Sequence, residues 1–200
     1  MTTSKISNSG SSKKLLALVA AVACFACAFC FIAPVADVSA TGEDTIAITE
    51  DGQIETFNAS TSTGLIITNE NSYSFSVTIS NIGGSNSTLT TVTVAGTTIL
   101  SDANGINASR LTIIYDAESE TTYVTGNITV GTDGDLTITS VTLLGNVTVR
   151  GSGSLTTTTN TVTIWETSTV TLGGTGTIAL NKITNNGTIE LDCSATTGTV

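Results

Sequence analysis

The chain has 200 residues, room for one domain or two small ones, and a formal charge of −10 with only 11% charged residues and no His. The missing His excludes His-dependent triads, H-E-x-x-H zinc sites and Cys₂His₂ fingers. The acidic balance, without clustered Lys and Arg, excludes a nucleic-acid partner, and no cofactor is expected.

Residues 1–40 read as a signal peptide. Lys5, Lys13 and Lys14 sit in a Ser-rich opening, an uncharged apolar run covers residues 15–35, and Val38-Ser39-Ala40 supplies the small residues before a cleavage point. Pro34 ends the signal helix. The apolar run is also long enough to span a bilayer, so a leader that stayed uncleaved would anchor the chain, the one membrane contact expected. Cys24, Cys27 and Cys30 fall inside the run and read as small apolar filler. The remaining chain is expected to be secreted or held at the cell surface.

Beyond Ala40 the composition changes. Arg110, Arg150 and Lys182 face fifteen acids, a net charge of −12, and forty of the 160 residues are Thr. Thr is β-branched and favours extended backbone, and apolar–polar alternation of period two replaces any helical pattern. The class is all-β. Residues 41–120 read as an irregular N-terminal β region. Within it Ser72–Ser80 (SYSFSVTIS) puts Tyr73, Phe75, Val77 and Ile79 on one face, and Thr90–Val94 and Leu111–Tyr115 are shorter strands. Gly83-Gly84, Asn104-Gly105 and Asp133-Gly134 mark turns.

Residues 121–200 carry a regular repeat of about 20 residues. NITVGTDGDLTI from Asn127, NVTVRGSGSLTT from Asn146, TVTLGGTGTIAL from Thr169 and TIELDCSATTGT from Thr188 align at intervals of 19, 23 and 19. Ile128 and Val130, Val147 and Val149, Val170 and Leu172, and Ile189 and Leu191 are predicted to point into one core. Gly134, Gly153 and Gly176 recur at the eighth place. Such a unit is too short to bury its own apolar face, so it must stack: a right-handed parallel β-helix (β-solenoid) of roughly eight coils about 4.8 Å apart. The 23-residue interval needs an insertion, placed as an outward bulge at Trp165 and Glu166. A β-sandwich is the alternative. The column Thr129, Thr148, Thr171 and Glu190 argues against it, because stacked parallel strands produce such a column and a Greek key does so only by accident.

The pattern G-N-[IV]-T-V-x₃-G-x-L-T, clear over residues 126–200, resembles the adhesin-like β-helix proteins of prokaryotic cell surfaces. The resemblance implies a right-handed parallel β-helix and a role in surface attachment or envelope structure.

Chemistry-bearing residues are few. Asp116, Glu118 and Glu120 alternate, and in extended backbone they would share a face suited to Ca²⁺ or simply form a solvated acidic loop. Asn58, Asn86, Asn107, Asn127, Asn146 and Asn186 begin Asn-x-Ser/Thr sequons and are glycosylation candidates. Trp165 is expected to face outward, and Cys193 to be a buried small residue or an interchain partner. No catalytic residue emerges. The expected function is a non-enzymatic secreted or cell-surface structural, adhesin-like protein presenting Thr/Ser/Asn-rich faces. Its partners would be surface proteins or glycans, with self-association through coil ends. The alternatives are a polysaccharide-active β-helix enzyme and, from pairs such as Thr91-x-Thr93, an ice-binding or self-assembling fibre protein.

Overall fold

A computed structural model describes residues 42–60, 62–82, 89–101 and 106–192. The leader, Asn86 and Cys193 lie outside the described residues. The described chain is all-β and without helices, a β-solenoid of about seven turns, against the eight expected. Its strands stack in three faces.

The first face is a seven-stranded sheet in the spatial order β1 (Glu43–Ala47), β3 (Gly64–Thr68), β5 (Thr91–Val94), β6 (Thr97–Ser101), β10 (Asp135–Ile138), β13 (Ser154–Thr157) and β16 (Ile178–Leu180). The second runs β2 (Gln53–Asn58), β4 (Phe75–Ile82), β7 (Ile106–Asp116), β8 (Thr121–Thr125), β11 (Thr142–Leu143), β14 (Val162–Ile164) and β17 (Ile183–Asn185). The third starts at Ile106 and Asn107 of β7 and continues through β9 (Ile128–Val130), β12 (Val147–Val149), β15 (Thr169–Gly173) and β18 (Thr188–Asp192).

From β8 onward the ladder is parallel and in the register that the repeat predicts. Ile128, Val147, Val170 and Ile189 are equivalent, as are Thr129, Thr148, Thr171 and Glu190. Inward residues join one apolar cluster that extends from Ile48 to Leu172. Ile128, Val130, Val147, Val149, Val170 and Leu172 are buried in it. Ile189 only packs against its edge, and Leu191, expected inside, is 55% exposed. Both belong to β18, which among the described strands pairs with β15 alone. The extra residues of the long interval are divided between two corners. Ile138 and Thr142 align with Thr157 and Thr163, which adds two residues before β14; Leu143 and Val147 align with Ile164 and Val170, which adds two more at Trp165–Ser168. There Ser168 is buried, and its Oγ donates to the Leu143 carbonyl at 2.9 Å. Trp165 is half-buried rather than fully outward.

The middle of the chain departs from a uniform parallel helix. β6 is antiparallel to both β5 and β10, and β7 is antiparallel to β4, β8 and β9. One coil therefore runs backwards. It is entered through a two-residue hairpin at Ala95-Gly96, where both residues have positive φ (46° and 79°) as a type I′ turn requires. It is left through the turn at 117–120.

The two ends differ. On the first layer the inner positions of β2 are Gln53, Glu55 and Phe57, in register with core residues Phe75, Val77 and Ile79. Gln53 Nε2 donates to Glu55 Oε1 (2.8 Å) and to the Ala47 carbonyl (3.1 Å), and the Asp44 carboxylate accepts from Ser62. The last layer carries Ile178, Leu180, Ile183 and Ile189 inward, all partly buried.

Two changes test this packing. Val147→Asp would bury an unpaired carboxylate and is expected to cost several kcal/mol, read as a large fall in the urea midpoint. Gly145→Ala would put a Cβ 1.8 Å from the Gly126 carbonyl oxygen of the layer below. No side chain fits there, so a loss of about 2 kcal/mol or more is expected although only a methyl is added.

Candidate functional site: a notch at one corner of the solenoid

The reversed coil leaves a gap. In layers one and two the chain crosses from the first face to the second after β1 and β3, and in layers five to seven after β10, β13 and β16. In layers three and four it does not cross there. β5 turns back into β6 on the first face, and β7 turns back into β8 on the second. Two hairpin tips thus face each other across an uncrossed corner. Successive layers are about 4.8 Å apart, so the interruption between the crossings of layers two and five spans roughly 14 Å.

A groove of about 650 Å³ occupies this notch and continues along the corner toward the last layer. Val94, Ile99 and Val141, all buried, reach it from the core. Ala95 and Thr97 line it from one hairpin, and Tyr115, Glu120 and Thr121 from the other. Ser140, Asn160, Thr161 and Lys182 continue it along the stacked corners. The walls are fixed by the ladder: Val162 N donates to the Lys182 carbonyl (3.0 Å), and Thr163 N to that of Val141 (2.9 Å). Tyr115 is held by a stacked contact with Phe75, centroids 5.9 Å apart. Glu120, with φ of 50°, ends the turn at the near end of the groove, and Lys182 lies in the corner leading to the last layer.

The residues singled out from sequence are distributed differently. Asp116, Glu118 and Glu120 do not share one strand: Asp116 is the last residue of β7, and Glu118 and Glu120 belong to the turn at residues 117–120. Asp116 Oδ1 accepts from the Glu118 N–H (3.1 Å) and Oδ2 from Ser119 Oγ (2.7 Å), so this carboxylate shapes the hairpin. Among the described residues no three Cys, Asp or Glu side chains converge as a metal site would need. At Asp133, Ser152 Oγ donates to the carboxylate (3.0 Å) and accepts from the Asp133 N–H (2.9 Å), tying one turn to the turn of the next layer.

Asn127 and Asn146 are exposed at equivalent corners, and each carboxamide oxygen accepts a backbone N–H from the layer that follows: Asn146 N at 3.2 Å and Thr169 N at 2.8 Å. The recurring N-[IV]-T therefore has a structural cause. Asn links corners, the apolar residue points inward and Thr stands in the outer column. Asn58 and Asn107 are exposed on β2 and β7, and Asn186 is exposed between β17 and β18. The Thr-x-Thr pairs are dispersed. Thr91 and Thr93 lie on β5 of the first face and Thr169 and Thr171 on β15 of the third, but Thr139 falls just beyond β10 and is buried, and Thr161 falls just before β14.

The groove was not anticipated from the sequence, although its cause is written there as two hairpins, TVTV-AG-TTIL and LTIIYD-AESE-TTYVT. Comparison of the chain with protein-family models, with curated proteins and with solved structures finds no match.

Asn146→Ala would remove the acceptor for Thr169 N and is expected to lower stability by about 1 kcal/mol in urea unfolding of chain that carries no glycan. An unchanged midpoint would show that the Asn column does not support the stack.

Proposed function

We propose that the chain is a non-enzymatic structural protein of the secreted or cell-surface, adhesin-like kind, working through its outer faces. The observation that carries this reading is the outward register of polar side chains on a continuous apolar core. Thr129, Thr148 and Thr171 stack in one column of the third face, and Thr137 and Thr156 pair in a column of the first. Self-paired layers hold these hydroxyls at the inter-strand spacing, so a rigid surface is displayed without any catalytic group. The resemblance of the G-N-[IV]-T-V repeat to adhesin-like surface proteins and the leader-like residues 1–40 support the same reading.

Surface proteins and glycans are the partners proposed. Coil-end pairing would use the last described layer, where Ile178, Leu180, Ile183 and Ile189 are all apolar, in preference to the first, where Gln53 and Glu55 flank Phe57. The enzyme alternative is weakened by the groove itself, whose lining includes one carboxylate, Glu120, where a glycoside hydrolase needs two.

Fractionation of the source cells with intact-mass analysis tests the proposal. The expected product begins at Thr41, is released or accessible to protease on intact cells, and leaves polysaccharides uncleaved. A cytosolic chain retaining residues 1–40, or catalytic turnover of a polysaccharide, would overturn it.

A further inference from the structure

We infer that the notch at the corner between the first and second faces is a binding site for a neutral, unbranched glycan. The inference deepens the surface reading and rests on it in one respect, that an exported chain meets glycans.

The volume, about 650 Å³, belongs to an open groove rather than an enclosed cavity, a form that suits a chain lying across the surface. The lining has the dual character that a sugar chain requires. A pyranose has apolar C–H faces and a rim of hydroxyls. Exposed Ala95 and the partly exposed Tyr115 ring supply apolar and aromatic surface. Ser140, Asn160 and Thr161 supply hydroxyl and carboxamide groups that both donate and accept hydrogen bonds. The corner residues come from successive layers, so their polar groups recur at about 4.8 Å along the groove, close to the interval at which sugar rings repeat along a chain. The backbones beneath them are already paired, so little ordering is needed on binding.

Charge and backbone geometry narrow the ligand class. Residues 41–200 carry −12, and Glu120 stands at the hairpin end of the groove, so a polyuronate or a phosphate chain is repelled. Lys182 is the only cation in the lining. An extended peptide binds best by adding to an open strand edge, whereas the walls at the notch are hairpin tips on β5–β6 and β7–β8, strands paired on both sides.

Titration of the purified native protein with cello-, manno- and chito-tetraose, and with tetragalacturonate, reads the inference directly by calorimetry or NMR. At least one neutral series is expected to bind with a dissociation constant of about 1 mM or tighter. Asn160→Trp, at an exposed corner, is expected to fill the groove and weaken that binding at least about tenfold, with an unchanged melting curve showing that the fold persists. Thr148→Ala, on the third face, is expected to leave it unchanged. Absence of binding by every neutral series, full binding by the Trp variant, or tighter binding of the galacturonate would overturn the inference. The outcomes separate the two readings. A protein on the cell surface that binds none of these sugars loses the notch site alone. A cytosolic protein that binds a neutral series and loses it on Asn160→Trp keeps the site and loses the surface role.

Discussion

Neighbouring strands must lie about 4.8 Å apart to satisfy one another's N–H and C=O groups, and in a stacked coil that distance is imposed on the corners as well. A corner residue has to fit beneath its equivalent one layer on. This explains the glycine columns better than turn propensity does. A Cβ on Gly176 would lie 1.9 Å from the carbonyl oxygen of Gly153, and one on Gly174 would lie 2.1 Å from that of Gly151. Where a side chain is tolerated at a corner, it is one that uses the same spacing. The Asn127–Asn146 column bonds forward to the following layer, and Thr139 and Thr158 share a hydroxyl hydrogen bond. Asn, Thr and Gly thus dominate the repeat because backbone pairing selects them, before any external function acts on the sequence.

The reversed coil keeps this pairing while breaking the winding. β6 and β7 occupy one position each on the first and second faces and run against their neighbours, yet the ladder remains continuous through them. Antiparallel and parallel strands have nearly the same spacing, so the core passes through without a gap: Ile99, Leu111 and Ile113 are as buried as Val147. The change appears only where a crossing is omitted. That omission produces a recess in a surface whose other corners are built up by stacked turns. The recess is therefore a consequence of topology, and its chemistry is set by the hairpin tips and the corner column around it.

Much of this was legible in the residues. The C-terminal register could be read because Ile128, Val147, Val170 and Ile189 repeat at nearly constant intervals, and each is flanked by the same Thr. Strand β4 could be read from the alternation of Phe75, Val77 and Ile79. The reversal was harder to see because Ala95-Gly96 is a weaker hairpin signal than Asn-Gly, and because alternation of period two has no direction. A strand going backwards has the same pattern as one going forwards. Alternation leaves the acidic segment ambiguous for a related reason, and of a shared strand face and an acidic loop the structure has the loop. Asp116, Glu118 and Glu120 alternate as a strand would, but Asp116 accepts from Glu118 N–H and Ser119 Oγ, and this local bonding turns the chain. Ser76 shows a further limit. Alternation puts it on the outer side of β4, yet it is 4% exposed, in a column with Ile114 (1%) and Tyr123 (6%). A two-sided strand cannot be recognised from a pattern that assumes one buried side.

The ends complete the physical account. An open ladder exposes unpaired N–H and C=O groups, and a flat apolar edge invites addition of another strand. The first layer counters this with side chains: Gln53 bonds to Glu55 and to the Ala47 carbonyl, and Thr49 N donates to Gln53 Oε1 (2.7 Å), so polar groups occupy positions that are apolar one layer on. Burying them beneath another coil would strand a carboxylate in a low-dielectric core, at a cost of several kcal/mol. The last layer has no such barrier at Ile178, Leu180, Ile183 and Ile189. The two outermost described layers thus differ in kind: the first sets Gln53 and Glu55 where the next layer sets Phe75 and Val77, and the last keeps the apolar pattern.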